Sequence, residues 1–255
     1  MLLLGAMPAW AWGPQGHRVA ADLANTLLTP EARNGVSALL GKQSLASAST
    51  WADEMRSNPS SFWQEQAGPW HYVTVPPGKV YADLVPPRRG DGMTALAGFC
   101  AILLDPGAAR SKQQLALRFS LHIIQDLHQP LHVGNGKDRG GNRIKVTVNG
   151  KSSNLHRVWD SAVISHQHRS DAAWGLYLGR LRSGQGAWRD NQPLLWIAES
   201  ARLREEIYPS QPQIDTAYLD RHAQAAAQRL LQAGIRSAEY LNQLFAAQPY
   251  CPAGE

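Results

Sequence analysis

The sequence predicts a mainly α-helical, single-domain protein with a short β-hairpin arm. Three observations carry this prediction. Apolar residues recur at helical spacing along most of the 255 residues. Neither an internal repeat nor a shift in composition marks a domain boundary. One segment, Arg143-Ile-Lys-Val-Thr-Val-Asn-Gly-Lys151, alternates around an Asn-Gly turn signal and reads as the hairpin.

Each element has its own warrant. Residues 16–28 carry apolar side chains at helical spacing, and Thr29-Pro30-Glu31 restarts a helix with Thr29 as N-cap and Pro30 at the first helical position. Residues 46–57, 93–104, 112–128, 154–164, 171–185, 190–205 and 213–245 also read as helices. The 112–128 helix is expected to end near His128, because Pro130 disfavours the helical region for Gln129. Residues 76–92 form a Pro/Gly-rich loop.

Composition adds weaker constraints. A hydrophobic content of 44% is enough for a sizeable core, and a formal charge of +5 mildly favours an anionic partner such as nucleic acid. Nine tryptophans are many; the ordinary role of each is packing, although the indole is also a good platform for bases. Residues 1–11 have an apolar stretch ending in Ala9-Trp10-Ala11, a small-x-small cleavage pattern, so they read as a removable export signal and residues 12–255 as the mature domain. No stretch is long enough to span a bilayer, which makes a periplasmic or secreted protein without membrane attachment the simplest expectation. Cys100 and Cys251 lack metal-ligand spacing, which excludes a zinc ribbon; in an oxidising compartment they are either bridged or two free thiols.

The chemistry lies in nine candidate metal ligands: Trp12, His17, Asp53, His71, His122, Asp126, His132, His156 and Asp160. They are densest in His122-Ile-Ile-Gln-Asp126-Leu-His128-Gln-Pro-Leu-His132 and Asn154-Leu-His156-Arg-Val-Trp-Asp160. His122 and Asp126 are four apart, which puts both on one helical face, and His156 with Asp160 repeats the device. Imidazole and carboxylate are ligands that zinc accepts. A lone histidine is more often a core residue, and His166, His168 and His222 are left in that class; five ligand-type residues within 39 positions are hard to bury for packing alone. His128 reads as a residue behind the ligands rather than one of them.

These segments, with Trp12-Gly-Pro-Gln-Gly-His17, Thr50-Trp-Ala-Asp53, Trp70-His71-Tyr72 and Gly140-Gly-Asn142, occur in the order and at the intervals of a known family: the chain resembles the S1/P1 nucleases across roughly residues 12–245. The resemblance implies a helical domain of the zinc phospholipase C/P1 nuclease type and three Zn2+ ions. It implies cleavage of single-stranded DNA and RNA to 5′-phosphate products, with 3′-nucleotides dephosphorylated as well. It assigns Asp53, His71, His122 and Asp126 to one zinc and His132, His156 and Asp160 to a second. The third takes His17, the bridging Asp126, and the amine and carbonyl of Trp12. Elementary chemistry supports this mapping. A free α-amine and its own carbonyl chelate one metal in a five-membered ring, whereas an internal peptide nitrogen is not basic, so cleavage after Ala11 would create a ligand. Paired ions generate a hydroxide that attacks the phosphate and neutralise developing charge. Asp53 is both ligand and orienter of the attacking water. Arg56, one turn on, is a transition-state clamp, Asn142 a contact to phosphate or water, and Tyr72 a stacking platform for a base. Thr74 stands where fungal members carry an acid. The enzyme is expected to act as a monomer. Two alternatives remain at this stage. A zinc phospholipase C of the same fold would carry Glu in place of Asp160; an exported zinc-storage protein would not need Arg56 and Tyr72 beside the ligands.

Overall fold

The computed structural model describes residues 12–183 and 191–251. The export signal predicted over residues 1–11, the last two residues of the helix predicted over 171–185 and the first residue of the helix predicted over 190–205 lie outside the described residues. The chain is mainly α-helical. Its helices are α1 (Pro14–Thr26), α2 (Pro30–Leu40), α3 (Leu45–Glu54), α4 (Gly92–Leu104), α5 (Arg110–Asp126), α6 (Leu155–Arg157), α7 (Val163–Ser165), α8 (Asp171–Ser183), α9 (Pro193–Glu206) and α10 (Thr216–Leu244). No described helix is long and apolar enough to cross a membrane.

Local chemistry sets most boundaries. Thr29 caps α2 by accepting from the Ala32 amide, with Pro30 in the first turn as the sequence predicts. Asp91 caps α4 in a reciprocal capping box with Thr94. Asn149 and Gly150 have φ of 50° and 73°, the left-handed pair that a tight hairpin needs, and join β3 (Lys145–Val148) to antiparallel β4 (Lys151–Asn154).

Three elements depart from the periodicity. The helix predicted from residue 213 begins at Thr216: Gln213 and Ile214 form strand β5, parallel to β3, and Asp215 caps α10 through the Tyr218 amide. The segment 154–164 is two short helical turns around a π-turn, Val158–Ala162. A second pair of short strands, β1 (Val73–Thr74) parallel to β2 (Val133–Gly134), has no sequence signature, since two-residue strands show no period.

The interior holds two apolar clusters, and α1 and α10 contribute to both. These two helices pack closely because Gly234 has no side chain: a Cβ there would lie 2.9 Å from the Ala20 carbonyl oxygen. The last turns of α5, from Phe119 to Asp126, are buried on every side. Trp12, Trp159, Trp174 and Trp196 are fully buried, the packing role expected of most tryptophans. Of the two cysteine states open at the sequence level, the bridged one is found: Cys100 and Cys251, with Cα atoms 6.0 Å apart, form a disulfide that ties the C-terminal tail to α4.

Candidate metal centre

Five imidazoles and three carboxylates converge in the interior. His17 comes from α1, Asp53 from α3, His122 and Asp126 from α5, and Asp160 from the π-turn. His71 and His132 end two short 3-10 turns, Gly68–His71 and Pro130–His132, and the β1–β2 pairing that follows holds them side by side. None of the eight is more than 7% exposed.

Three groups of donor atoms lie close enough to surround a cation: Asp53, His71 and His122; His17, His122 and Asp126; and His132, His156 and Asp160. Zinc bonds of about 2.0–2.1 Å in tetrahedral geometry require donor–donor edges of about 3.3 Å. The edges here are comparable. His122 Nε2 lies 2.9 Å from His71 Nδ1 and 3.1 Å from Asp126 Oδ2, and His71 Nδ1 lies 3.2 Å from the same oxygen. Asp53 Oδ1 is 3.8 Å from both rings. His17 Nε2 lies 3.4 Å from Asp126 Oδ1, and His156 Nε2 lies 3.6 Å from Asp160 Oδ2. Asp126 thus turns one oxygen to His17 and the other to His71 and His122.

Four buried atoms facing these groups make no hydrogen bond: His17 Nε2, Asp126 Oδ1, His132 Nε2 and Asp160 Oδ2. Buried polar atoms without partners are costly, and a cation in each group would satisfy them. In four of the five rings the opposite edge is engaged. Nδ1 of His122 donates to the Ser49 carbonyl at 2.7 Å, of His132 to the His71 carbonyl at 2.5 Å, and of His156 to the Gly140 carbonyl at 2.6 Å. His17 Nδ1 donates to Gln125 Oε1 at 2.6 Å. This is how proteins fix the tautomer of a metal-binding imidazole. Asp160 is oriented likewise: Gln129 donates to its Oδ1 at 2.6 Å and leaves Oδ2 facing His156.

The electrostatics show the same demand for positive charge. Burial pushes the Asp160 carboxyl well above the usual range, and Asp53 and Asp126 push it further. Burial also raises Asp126, but His122 and His132 hold it well below that range. Against burial, Asp126 and Asp53 hold His122 up at about 9. His71 and His156 are kept neutral, lowered to about 4 and about 3 chiefly by burial.

The remaining predicted residues are placed as follows. Arg56 Nε lies 2.8 Å from Asp53 Oδ1. Tyr72, directly after His71, is 46% exposed. Asn142 lies two residues beyond Gly140, and its amide donates to the Arg139 carbonyl at 2.9 Å. The Trp12 indole is fully buried, and the next residue, Gly13, donates to the Asp160 carbonyl at 2.6 Å. A Cβ on Gly13 would lie 2.9 Å from the Asp160 carbonyl oxygen, so only glycine permits this approach. His128 faces away from the cluster: Nδ1 donates to the Ile124 carbonyl at 2.7 Å and Nε2 accepts from Arg236 at 3.0 Å. Sequence reasoning missed Gln125 and Gln129; the available signal was their polarity beside the ligands of a buried helix end.

Comparison with known proteins agrees with this architecture. The family model described as S1/P1 Nuclease matches residues 12–246. Endonuclease 2 of Arabidopsis thaliana is 28% identical over 282 residues, covering 96% of this chain and 94% of that protein. Nuclease S1 of Aspergillus oryzae is 26% identical over 279 residues, covering 96% and 95%. Nuclease P1 of Penicillium citrinum is 33% identical over 158 residues, covering 59% and 57%. Because the family pattern runs through nearly all of the described chain, this protein belongs to the S1/P1 nuclease family.

Proposed function

We propose that this chain is an exported, zinc-dependent nuclease that hydrolyses single-stranded DNA and RNA to 5′-phosphate products and dephosphorylates 3′-nucleotides. The observation that carries the reading is Asp126, whose two oxygens face two different donor groups. A carboxylate shared by neighbouring cations is an arrangement suited to phosphodiester hydrolysis. Asp53, His71, His122 and Asp126 would hold one zinc ion, and His132, His156 and Asp160 a second. His17 and Asp126, with the amine and carbonyl of a mature N-terminal Trp12, would hold the third. When bound, the ions supply Lewis acidity toward phosphate and lower the pKa of water.

The chain's own groups do the rest. Asp53 accepts a hydrogen bond from the attacking water and sets its direction. Arg56, beside Asp53 and 29% exposed at its side chain, donates to phosphate oxygens as charge builds. Asn142 adds a neutral donor. Tyr72 offers an exposed ring face to a base, and stacking needs an unpaired base whatever its identity. Relatives called nucleases and endonucleases support nucleic acid over a phospholipid as substrate. Export is supported by the Cys100–Cys251 disulfide, which persists in oxidising compartments. The active unit is a monomer that needs no membrane.

Four expectations follow from this reading. Elemental analysis of the mature protein should find about three zinc ions per chain, and Asp126→Ala should abolish turnover; one ion or none per chain would overturn the trinuclear reading.

Single-stranded DNA and RNA should be cleaved well ahead of duplex, and phosphatidylcholine not at all. Tyr72→Ala should weaken substrate binding by about 1–3 kcal/mol. Equal rates on single strands and duplex would contradict the stacking account.

The metal-free protein should show a particular pH dependence of stability. His122 is raised from 6.5 to about 9, so its contribution is complete below pH 6.5 and is lost as pH rises through about 9. His71 and His156 are lowered from 6.5 to about 4 and about 3, so they oppose folding as pH falls below 6.5. Chelator-treated protein should therefore be most stable near pH 6.5. Zinc displaces the His122 proton and should remove the loss on the alkaline side. Denaturation curves at several pH values, with and without zinc, test this; a metal-free protein that gains stability above pH 6.5 would refute it.

A protein beginning at Trp12 should be active, whereas one retaining Ala11 should keep its helical fold, lose about one zinc ion and lose most activity, since the chelating amine is then an amide. Equal zinc content and activity in the two forms would show the N-terminal assignment to be wrong.

A further inference from the structure

The turn between β2 and β3 has an unusual backbone. Arg139, Gly140 and Gly141 take φ of 57°, 60° and 77°, three consecutive left-handed residues, the first of them not a glycine. Such a run is disfavoured unless its surroundings impose it. The middle residue makes two close contacts, and the second of them requires glycine. Its carbonyl accepts the His156 Nδ1 proton at 2.6 Å, and a Cβ on Gly140 would lie 2.3 Å from the Leu131 carbonyl oxygen. The direction of the His156 ring, and so of its Nε2, depends on the turn keeping this shape.

A buried carboxylate holds the turn. Asp138 is 7% exposed and accepts from the Gly141 amide at 2.9 Å through Oδ1. Its Oδ2 accepts from Asn135 Nδ2 at 3.0 Å and from the hydroxyl of Tyr208. Asn135 also donates to the Tyr208 oxygen at 2.9 Å. Tyr208 comes from the far side of the sequence, just after α9, and packs against the second apolar cluster. Burial pushes the Asp138 carboxyl up, but the hydrogen bonds from Tyr208, Gly141 and Asn135 hold it below the usual range, so it stays an acceptor.

We infer that Asp138 and Tyr208 are positioning residues for one cation site: through Gly140 they aim His156, and through the same turn they place Asn142. This rests on the metal-centre reading above. The expected effect is selective. Loss of the hydrogen bonds behind a metal-binding imidazole typically weakens metal affinity 10–100-fold. Only the ion held with His156 should be affected, because His122, His132 and His17 are oriented instead by the Ser49 carbonyl, the His71 carbonyl and Gln125, and no contact links His71 to this turn among the described residues.

The test uses the full mature protein as wild type, Tyr208→Phe, Asp138→Asn and Tyr81→Phe. The last removes a tyrosine–aspartate hydrogen bond of similar kind, to Asp91, that does not touch this turn. Metal-free protein is titrated with zinc against a competing chelator, and its helical content and melting temperature are recorded. The wild type should bind three ions. Tyr208→Phe and Asp138→Asn should each weaken one of them about 10–100-fold and leave two unchanged, while Tyr81→Phe weakens none. Excess zinc should restore most of kcat in Tyr208→Phe. Three unchanged affinities in both turn variants, or uniform weakening of all three with a lowered melting temperature of the metal-free form, would overturn the inference alone. A wild type that binds no zinc would overturn the metal reading, and the inference with it.

Discussion

The structure depends on the burial of three carboxylates with too little positive charge of the chain's own. Asp53, Asp126 and Asp160 are at most 6% exposed. Arg56 partners Asp53, and imidazoles surround Asp126, but among the described residues Asp160 meets the neutral Gln129 amide on one oxygen and the neutral His156 ring, 3.6 Å away, on the other. Ionised carboxylates in such a place are strongly unfavourable unless a cation meets them. Divalent ions at the three donor groups would invert the balance and make the same residues a source of stability.

That requirement accounts for the irregular backbone near the centre. A histidine presents one nitrogen to a cation only if the other is tied down, and four of the five rings are tied to groups distant in sequence. Ser49 offers its carbonyl from within the regular helix α3, but regular helices do not bring the His71 and Gly140 carbonyls to those places. Short 3-10 turns, a π-turn, a two-residue parallel strand pair and a left-handed turn do so instead. The irregularity sits on a regular frame: α1 and α5 carry His17, His122 and Asp126 in ordinary helical geometry, and both helices also contribute apolar side chains to a buried cluster.

Behind the centre lies a second polar network. Arg236 donates to His128 and to both oxygens of Glu199, and Arg229 donates to Glu199 and to the His128 carbonyl. Burial holds His128 well below the usual imidazole range, and the two guanidiniums hold it lower still, so it stays neutral. The ring therefore joins α5 to α10 through a fixed pattern of donors and acceptors. This stiffens the turn from Asp126 to His132, which delivers a ligand at each end. The network also explains why a histidine in the middle of that stretch is not itself directed at the cations.

What the sequence by itself determined is whatever follows from spacing along a few covalently linked residues. Four-residue intervals placed His122 with Asp126 and His156 with Asp160; Thr29-Pro30 set a helix start; Asn149-Gly150 set the hairpin. The family was legible because its motifs are short runs in fixed order. Tertiary structure decided everything that depends on residues far apart meeting. It paired Cys100 with Cys251, set β1 beside β2 and β5 beside β3, and brought Tyr208 to Asp138. It also converted the helix expected around Asp160 into a π-turn, which no periodicity announces. The physical reason is that spacing fixes which face of one element a side chain occupies, whereas the partner that face meets is chosen by the packing of all the others.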